Sequence, residues 1–166
     1  KPESAAGHQG DGAPVFCAGG RGVAGERWEE GSAAFAVIHP EAGNQDDNNG
    51  SLVLFARFGG LSWLFAGDIE KEAEQALIGL YAQLRADVLK VAHHGSETST
   101  TEPFLRAVKP RMAIISVGRF NRYGHPSPDV LERLGQRGVV IWRTDENGAI
   151  RYFYDGKSGT FQVMKP

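Results

Sequence analysis

Cysteine is almost absent from this sequence, which has Cys17 alone among its 166 residues. A single cysteine excludes an internal disulfide and any zinc cluster built from several cysteines. Long apolar runs are also missing. The longest, near residues 61–66, contains Ser62 and stops at Gly67, far short of the ~20 residues that cross a bilayer. Basic residues are not in excess, since the formal net charge is −2. That balance argues against a general basic coat for nucleic acid but leaves room for a local basic groove.

What the sequence does contain is enough for a single domain over residues 1–166. Hydrophobic residues make up 41% of the chain and charged residues 23%, which are ordinary values for a globular domain with a core. Gly59-Gly60 between two apolar runs predicts a β-hairpin. Three strand–helix steps and a closing hairpin follow, which predicts the α/β (α+β) class, a mixed β-sheet with flanking helices. Predicted strands cover 15–18, 35–40, 51–58, 61–66, a run from 87, 112–117, 139–143, 149–154 and 160–164; helices cover 68–84, 99–108 and 127–134; turns cover 19–31 and 145–148; and 1–14 is a loop or lead-in.

Asp68 follows an apolar strand and opens the first predicted helix, and two interpretations of it stay open. In the structural one, this carboxylate caps the helix N-terminus, a contribution of about 1 kcal/mol. In the functional one, it ligates a divalent cation or bridges two. At the next predicted helix, Ser99 and Glu102 have the spacing of a capping box.

His93 and His94 end the next apolar run, at the strand end where catalytic groups collect in α/β proteins. Adjacent residues on a strand face opposite sides, so both imidazoles reach one metal only if the backbone turns between them. Gly95 permits such a turn. We expect one of the two to ligate a metal and the other to orient it or touch substrate. The alternative is one histidine in the core and one in solvent.

Residues 121–126 form a third cluster, with Arg122, Tyr123 and His125 on one loop. These residue types suit an anionic substrate, because a guanidinium binds phosphate through two hydrogen bonds. A plain polar turn before Pro126 is the alternative. The acidic and amide residues at 46–49 are interpreted as an Asx-rich turn. The alternative is that their side chains bind a metal or make functional hydrogen bonds.

Six stretches in this order resemble the C-terminal metallo-β-lactamase-like domain of the ComEC family, the DNA-internalisation proteins of natural transformation. The resemblance covers about residues 47–155 and is specific, because several long motifs agree in order. The stretches are DNNGSLVL at 47–54, LFAGDIE at 64–70, ADVLKVAHHGS at 86–96, AIISVG at 113–118, NRYGHP at 121–126 and WRTDENGAI at 142–150.

This resemblance implies the C-terminal portion of an αββα sandwich and a metal-dependent phosphodiesterase, a nuclease that degrades the DNA strand that is not imported. It implies two divalent ions, Mn or Zn, with Asp68 bridging them and the pair His93 and His94 supplying a later ligand. Asp68 and His94 are then the expected catalytic residues. The implied partners are single-stranded DNA and the membrane channel of the parent protein, at the extracytoplasmic face of the bacterial membrane. The expected substrate-binding residues are Arg122, Tyr123, His125, Asn49 and Ser96.

One departure from the family pattern affects these expectations. The His-x-His/Asp-x-Asp-His motif that carries most metal ligands is not found before His93, and His8 and His39 have no Asp-His partners. We therefore expect a fragment that starts downstream of that motif, with a partial site and no activity alone. Half a sandwich exposes an apolar sheet face, which predicts dimerisation or aggregation unless the N-terminal segment covers it.

Two other functions stay open. The same metallohydrolase could act on a small phosphodiester or a choline-type ester, because one fold supports many substrates. Alternatively, the chain is a non-catalytic remnant that serves as a binding or structural domain, which the missing motif and the net charge of −2 favour.

Overall fold

A computed structural model describes residues 22–40 and 47–164 of the chain. Within these ranges, no helix is long and apolar enough to cross a bilayer. The described strands are β1 (Arg27–Glu30), β2 (Ala33–His39), β3 (Val53–Phe58), β4 (Leu61–Phe65), β5 (Val88–Lys90), β6 (Met112–Ile115), β7 (Val140–Arg143), β8 (Ala149–Tyr154) and β9 (Gly159–Met164). The helices are α1 (Lys71–Leu80), α2 (Glu102–Val108), α3 (Pro128–Gln136) and α4 (Thr144–Asn147), with 3-10 turns at Asn48–Gly50 and Ala92–Gly95. The predicted lead-in and the strand at 15–18, with Cys17, lie outside the described residues, as does Asp46.

Seven of the described strands form one mixed sheet in the chain order β1 to β7. Strands β1 to β4 pair antiparallel, and β4 to β7 pair parallel. The predicted mixed sheet with flanking helices is therefore confirmed. Parallel strands end on the same side of a sheet, so the segments after β4, β5 and β6 come together. These segments carry Asp68, the pair His93 and His94, and the loop with Arg122.

The main core lies between the sheet and helices α1, α2 and α3. Leu64, Leu89 and Ile115 on neighbouring strands are fully buried. They pack in one cluster with buried side chains from the three helices, which fixes the ends of β4, β5 and β6 relative to each other. The helix residues in this cluster include Ala73, Leu77, Phe104, Leu105, Val108, Val130 and Leu134.

The opposite face of the sheet is aromatic, and the β8–β9 hairpin packs against it. The Trp63 ring centroid lies 5.2 Å from that of Tyr152 and 5.7 Å from that of Phe161. Phe58 stacks on Trp63 at 4.6 Å. The predicted final hairpin is confirmed, and it forms a two-stranded sheet of its own. Association through the remaining part of this face stays a prediction.

Two turn signals in the sequence are confirmed. Gly59 and Gly60 join β3 to β4 with φ angles of 60° and 75°, which glycine adopts at little cost. Ser127 caps α3, because its Oγ accepts a hydrogen bond of 3.3 Å from the Val130 N–H.

Both capping predictions elsewhere were wrong. Helix α1 begins at Lys71 and ends at Leu80 rather than spanning 68–84, and Glu70 rather than Asp68 is its N-cap. Asp68 lies instead in a turn, in which the Ile69 N–H donates to the Ala66 carbonyl at 3.4 Å.

Helix α2 begins at Glu102, and Thr101 rather than Ser99 caps it, through a 3.4 Å bond from the Phe104 N–H. The Ser99 hydroxyl is used elsewhere, since it donates to the Ile69 carbonyl at 2.9 Å.

Two predicted turns also contain regular structure. The turn expected at 19–31 holds β1, which pairs with β2 across Gly31, whose φ is 57°. The sequence did not predict this edge strand, because most residues of β1 are polar. A strand at the edge of a sheet can be polar, since only one of its sides packs on the protein. The turn expected at 145–148 is mostly the short helix α4.

Candidate active site

Two loops at the carboxyl ends of β4 and β5 bring Asp68 and the histidine pair together. The His93 N–H donates to the Gly67 carbonyl at 3.0 Å, so the two loops are joined directly. Gly67 has a φ of 57°, and a Cβ there would lie 2.8 Å from the Leu52 carbonyl oxygen. Only glycine fits this close approach, which fixes where Asp68 leaves the sheet.

The backbone turns at the histidine pair itself. His93 has a φ of 45° and His94 a φ of 54°, and Gly95 continues the turn with a φ of 85°. Left-handed φ values are uncommon for non-glycine residues and are strained, and such residues cluster at functional sites. The turn that the sequence required is therefore present, and it involves both histidines as well as Gly95.

His94 faces Asp68. Its Nδ1 lies 2.6 Å from the Ser116 carbonyl oxygen, and its Nε2 lies 3.7 Å from Asp68 Oδ1. A carbonyl can only accept, so Nδ1 carries a proton, and Nε2 is the ring nitrogen that faces Asp68. Both side chains are a little under half exposed, at 46% and 44%. This geometry is the one in which a histidine serves as a metal ligand while a carbonyl holds the ring.

His93 faces a second carboxylate, that of Glu70. Its Nδ1 lies 3.2 Å from Glu70 Oε1, in a contact that is not aligned as a hydrogen bond. Glu70 Oε1 also accepts from the Thr98 hydroxyl at 3.0 Å and from Asn48 Nδ2 at 3.2 Å. The bond from Thr98 is the main reason that the pKa of Glu70 is lowered, and the bond from Asn48 and the nearby His93 act in the same direction. Glu70 is therefore an acidic group of lowered pKa beside the His93 ring.

Asn49 and Ser96, both expected to bind substrate, lie beside this network. Asn49 Oδ1 accepts from the Glu70 N–H at 2.8 Å, which holds the start of α1. Ser96 is buried, and its Oγ lies 3.0 Å from the Thr98 hydroxyl. Asn49 thus bonds to the backbone of Glu70, and Ser96 contacts Thr98, which donates to the Glu70 carboxylate.

The loop after β6 places His125 against the pair. The ring centroids of His93 and His125 are 5.7 Å apart, and Tyr123 stacks on His125 at 6.0 Å with an angle of 18° between the rings. Partial burial lowers the pKa of His125, and the neighbouring histidines lower it further. Arg122 is exposed on the same loop. The three residues that the sequence singled out here therefore lie next to the histidine pair or on the loop that reaches it.

Sequence reasoning missed two charged groups at this site. Glu70 stands two positions after Asp68, and its place in the motif Gly-Asp-Ile-Glu was the available signal. Lys90 ends β5, and its Nζ donates to the Val91 carbonyl at 2.9 Å. Burial lowers the pKa of Lys90, while the charge of Asp68 opposes that effect. The sequence signal for Lys90 was its position three residues before His93.

The donor types at this site fit a divalent metal, but the set is incomplete. Asp68 and His94 supply a carboxylate oxygen and an imidazole nitrogen, both common metal ligands. Over 22–40 and 47–164, no group of three or more histidine, cysteine, aspartate or glutamate side chains is arranged to hold a metal ion. A cavity of about 920 Å³ lies elsewhere, by the amino end of β5, and its lining includes Arg57, Tyr81 and Asp87 but none of the predicted site residues.

Comparison with known proteins gives several relatives, although no protein-family model matches the chain. ComE operon protein 3 of Bacillus subtilis is 47% identical over 133 residues, which cover 80% of this chain and 17% of that protein. Competence protein ComA of Neisseria gonorrhoeae is 39% identical over 143 residues, 85% of this chain and 21% of that protein. Recombination protein 2 of Haemophilus influenzae is 35% identical over 144 residues, 85% of this chain and 17% of that protein. The chain thus spans about a fifth of the length of these curated relatives.

Proposed function

This chain belongs to the ComEC family of competence proteins, and from that membership we propose that it forms part of a metal-dependent nuclease that acts on DNA during DNA uptake. The proposed substrate is single-stranded DNA, and the reaction is hydrolysis of a phosphodiester bond. The parent protein would be a polytopic membrane protein that presents this domain at the extracytoplasmic face of the bacterial membrane, beside its channel.

The pairing of Asp68 with His94 supports this proposal most directly. The Ser116 carbonyl fixes the His94 ring so that Nε2 and the Asp68 carboxylate are 3.7 Å apart and on the same side. These two groups would hold a divalent ion, Mn or Zn, which when bound supplies a Lewis acid for phosphodiester hydrolysis. The remaining ligands would come from outside the described residues, because within them no third ligand is arranged beside these two.

The other residues of the site have roles that follow from their positions. Glu70 holds His93, and the charge of that carboxylate favours a ring orientation with Nδ1 toward it. Arg122 is exposed on the loop beside the histidines and would bind a phosphate of the DNA through two hydrogen bonds. His125, packed near His93, would border the bound strand.

The test is Mn²⁺-dependent cleavage of single-stranded DNA by an extended protein, in which this chain is joined to further sequence of its parent protein, since its relatives are about five times as long. We expect Asp68→Ala to lower the cleavage rate at least about 100-fold, because a metal ligand is lost. Asp129→Ala, which removes an exposed carboxylate on α3, is the matched control and should cleave at the parent rate.

Two outcomes would contradict the proposal. If Asp68→Ala cleaves as fast as the parent, Asp68 is not a metal ligand. If neither protein cleaves single-stranded DNA, the substrate is wrong. Faster turnover of a chromogenic phosphodiester than of DNA would then indicate a small-molecule hydrolase, and no turnover of either would indicate a non-catalytic binding domain.

A further inference from the structure

Two large aromatic side chains on the loop between β6 and α3 are almost fully exposed. Phe120 is 90% exposed and Tyr123 is 84% exposed. Single exposed hydrophobic residues are ordinary, but these two lie within four positions of each other. Arg119 and Arg122, both exposed, alternate with them. The loop thus presents two rings and two guanidinium groups at the surface, and the Arg119 group also donates through Nε to the Asp145 carbonyl at 3.5 Å.

The loop that carries these rings is held in shape by Asn121. Its Nδ2 donates to the His125 carbonyl at 2.8 Å and to the Gly118 carbonyl at 3.2 Å. Its Oδ1 accepts from the His125 N–H at 3.0 Å. One side chain therefore ties both ends of the loop together. A ligand that binds the rings meets a surface that is already ordered, which lowers the entropy cost of binding.

The exposed rings are also connected to the candidate active site. One face of Tyr123 stacks on His125, and the His125 ring lies 5.7 Å from that of His93. The exposure of Tyr123 leaves the rest of its ring open to solvent. A strand bound along this loop would therefore pass directly beside the histidine pair.

We propose that Phe120 and Tyr123 are a stacking platform for the unpaired bases of single-stranded DNA, and that Arg119 and Arg122 bind the adjoining phosphates. Aromatic rings stack on any base, and arginine adds charge attraction to the backbone. In a duplex the base faces are already stacked, so this platform selects a single strand over a duplex. The inference rests on the proposed function for its substrate and adds the residues that recognise it.

The test measures DNA binding by fluorescence anisotropy, with the extended protein in EDTA so that no cleavage occurs. The probes are a labelled single-stranded dT oligonucleotide, a deoxyribose-phosphate oligomer of equal length without bases, and a duplex. We expect Phe120→Ala to weaken binding of the dT strand about fivefold or more, with little change for the abasic strand. Phe120→Trp should restore the dT affinity, because it restores a ring.

Phe153→Ala is the matched control, since Phe153 is an exposed phenylalanine on the β8–β9 hairpin, at 57% exposure. It should bind the dT strand as the parent does. Equal losses for the dT and abasic strands, an unchanged affinity in Phe120→Ala, or tighter binding of the duplex would overturn the platform. Because the readout is binding without metal, a failure of the nuclease proposal leaves this result interpretable: an inactive protein whose dT affinity still depends on Phe120 supports the platform alone.

Discussion

His94 Nε2 lies 3.7 Å from Asp68 Oδ1, while Nδ1 of the same ring is held 2.6 Å from the Ser116 carbonyl oxygen. His93 makes no such approach to Asp68, because its Nδ1 lies beside Glu70 instead. The two adjacent histidines therefore have different neighbours and different expected roles. The sequence left this choice open, and from this geometry we propose that His94 is the metal ligand and His93 its support.

This assignment predicts unequal effects of removing the two rings. In the extended protein, His94→Ala should lower Mn²⁺ affinity more than about 100-fold, because a direct ligand is lost. His93→Ala should lower it by about 10-fold, as expected for a group that supports a ligand. Isothermal titration calorimetry with Mn²⁺ measures both affinities. The reverse order of the two losses would assign the metal to His93.

Replacing Glu70 by glutamine tests whether its charge orients His93. Glu70→Gln keeps the size of the side chain and removes the negative charge beside Nδ1 of His93. We expect the rate of DNA cleavage by the extended protein to fall about 10-fold. This is the lower end of the range for residues that support a metal ligand without binding the metal. Glu132→Gln is the control, since Glu132 is an exposed acid on α3 whose carboxylate accepts only from Gln136 among the described residues. Equal rates for the two variants would show that Glu70 does not support the site.

Gly95 is predicted to be irreplaceable for steric reasons. A Cβ at this position would lie 2.6 Å from Pro126 Cβ, and the φ of 85° is unfavourable for any other residue. Gly95→Ala should therefore lower the free energy of unfolding by about 2 kcal/mol or more. Urea denaturation of the extended protein measures this. Gly79→Ala is the matched control, because nothing lies within 4 Å of a Cβ there, and in a helix alanine should be neutral or stabilising by up to about 1 kcal/mol.

If Gly95→Ala were as stable as Gly79→Ala, the close contact between Gly95 and Pro126 would be able to adjust. The left-handed turn at the histidines would then not be enforced by packing. The predicted loss of stability therefore tests the account of the turn as well as the glycine.

Much of the fold could be predicted because its signals are local. The apolar runs at β4, β5 and β6 stand out in the sequence, and polar residues follow each run directly. Strand ends of this kind meet at one edge of a sheet, so the order of the runs alone predicts that Asp68 lies near the histidine pair. The Gly59-Gly60 hairpin and the Ser127 cap follow from conformational preferences of single residues. These features need no knowledge of distant contacts.

The remaining features depend on contacts between distant segments. Asp68 and Ser99 look like helix caps, but the turn at Asp68 and the bond from Ser99 to Ile69 are set by packing between loops. The contact of Glu70 with His93 also joins separate segments, across 23 positions. Spacing patterns do not report such contacts, so the supporting residues of the site escaped prediction.

Glu74 provides a prediction about pH, because it is fully buried between α1 and α2. Its carboxylate accepts from the Thr101 N–H at 2.9 Å, from the Thr101 hydroxyl at 2.7 Å, and from the Thr100 N–H. Burial nevertheless raises its pKa from the ordinary value of 4.5, outweighing these donors and the charge of Arg133. The folded state therefore holds this proton more tightly than the unfolded state does.

The sign of the pH effect follows from that difference. Below about pH 4.5 the proton is bound in both states, and the stabilising contribution of the protonated group is complete. As pH rises toward the raised pKa, the unfolded chain releases its proton first, so the free energy of unfolding decreases. In Glu74→Gln this group cannot titrate, and the decrease due to it should disappear. Urea denaturation of parent and variant from about pH 4.5 to 8 gives the difference in unfolding free energy at each pH. A parent that instead gains stability over the variant as pH rises would mean that the donors from Thr100 and Thr101 outweigh burial, and that the ionised carboxylate is the form that joins α1 to α2.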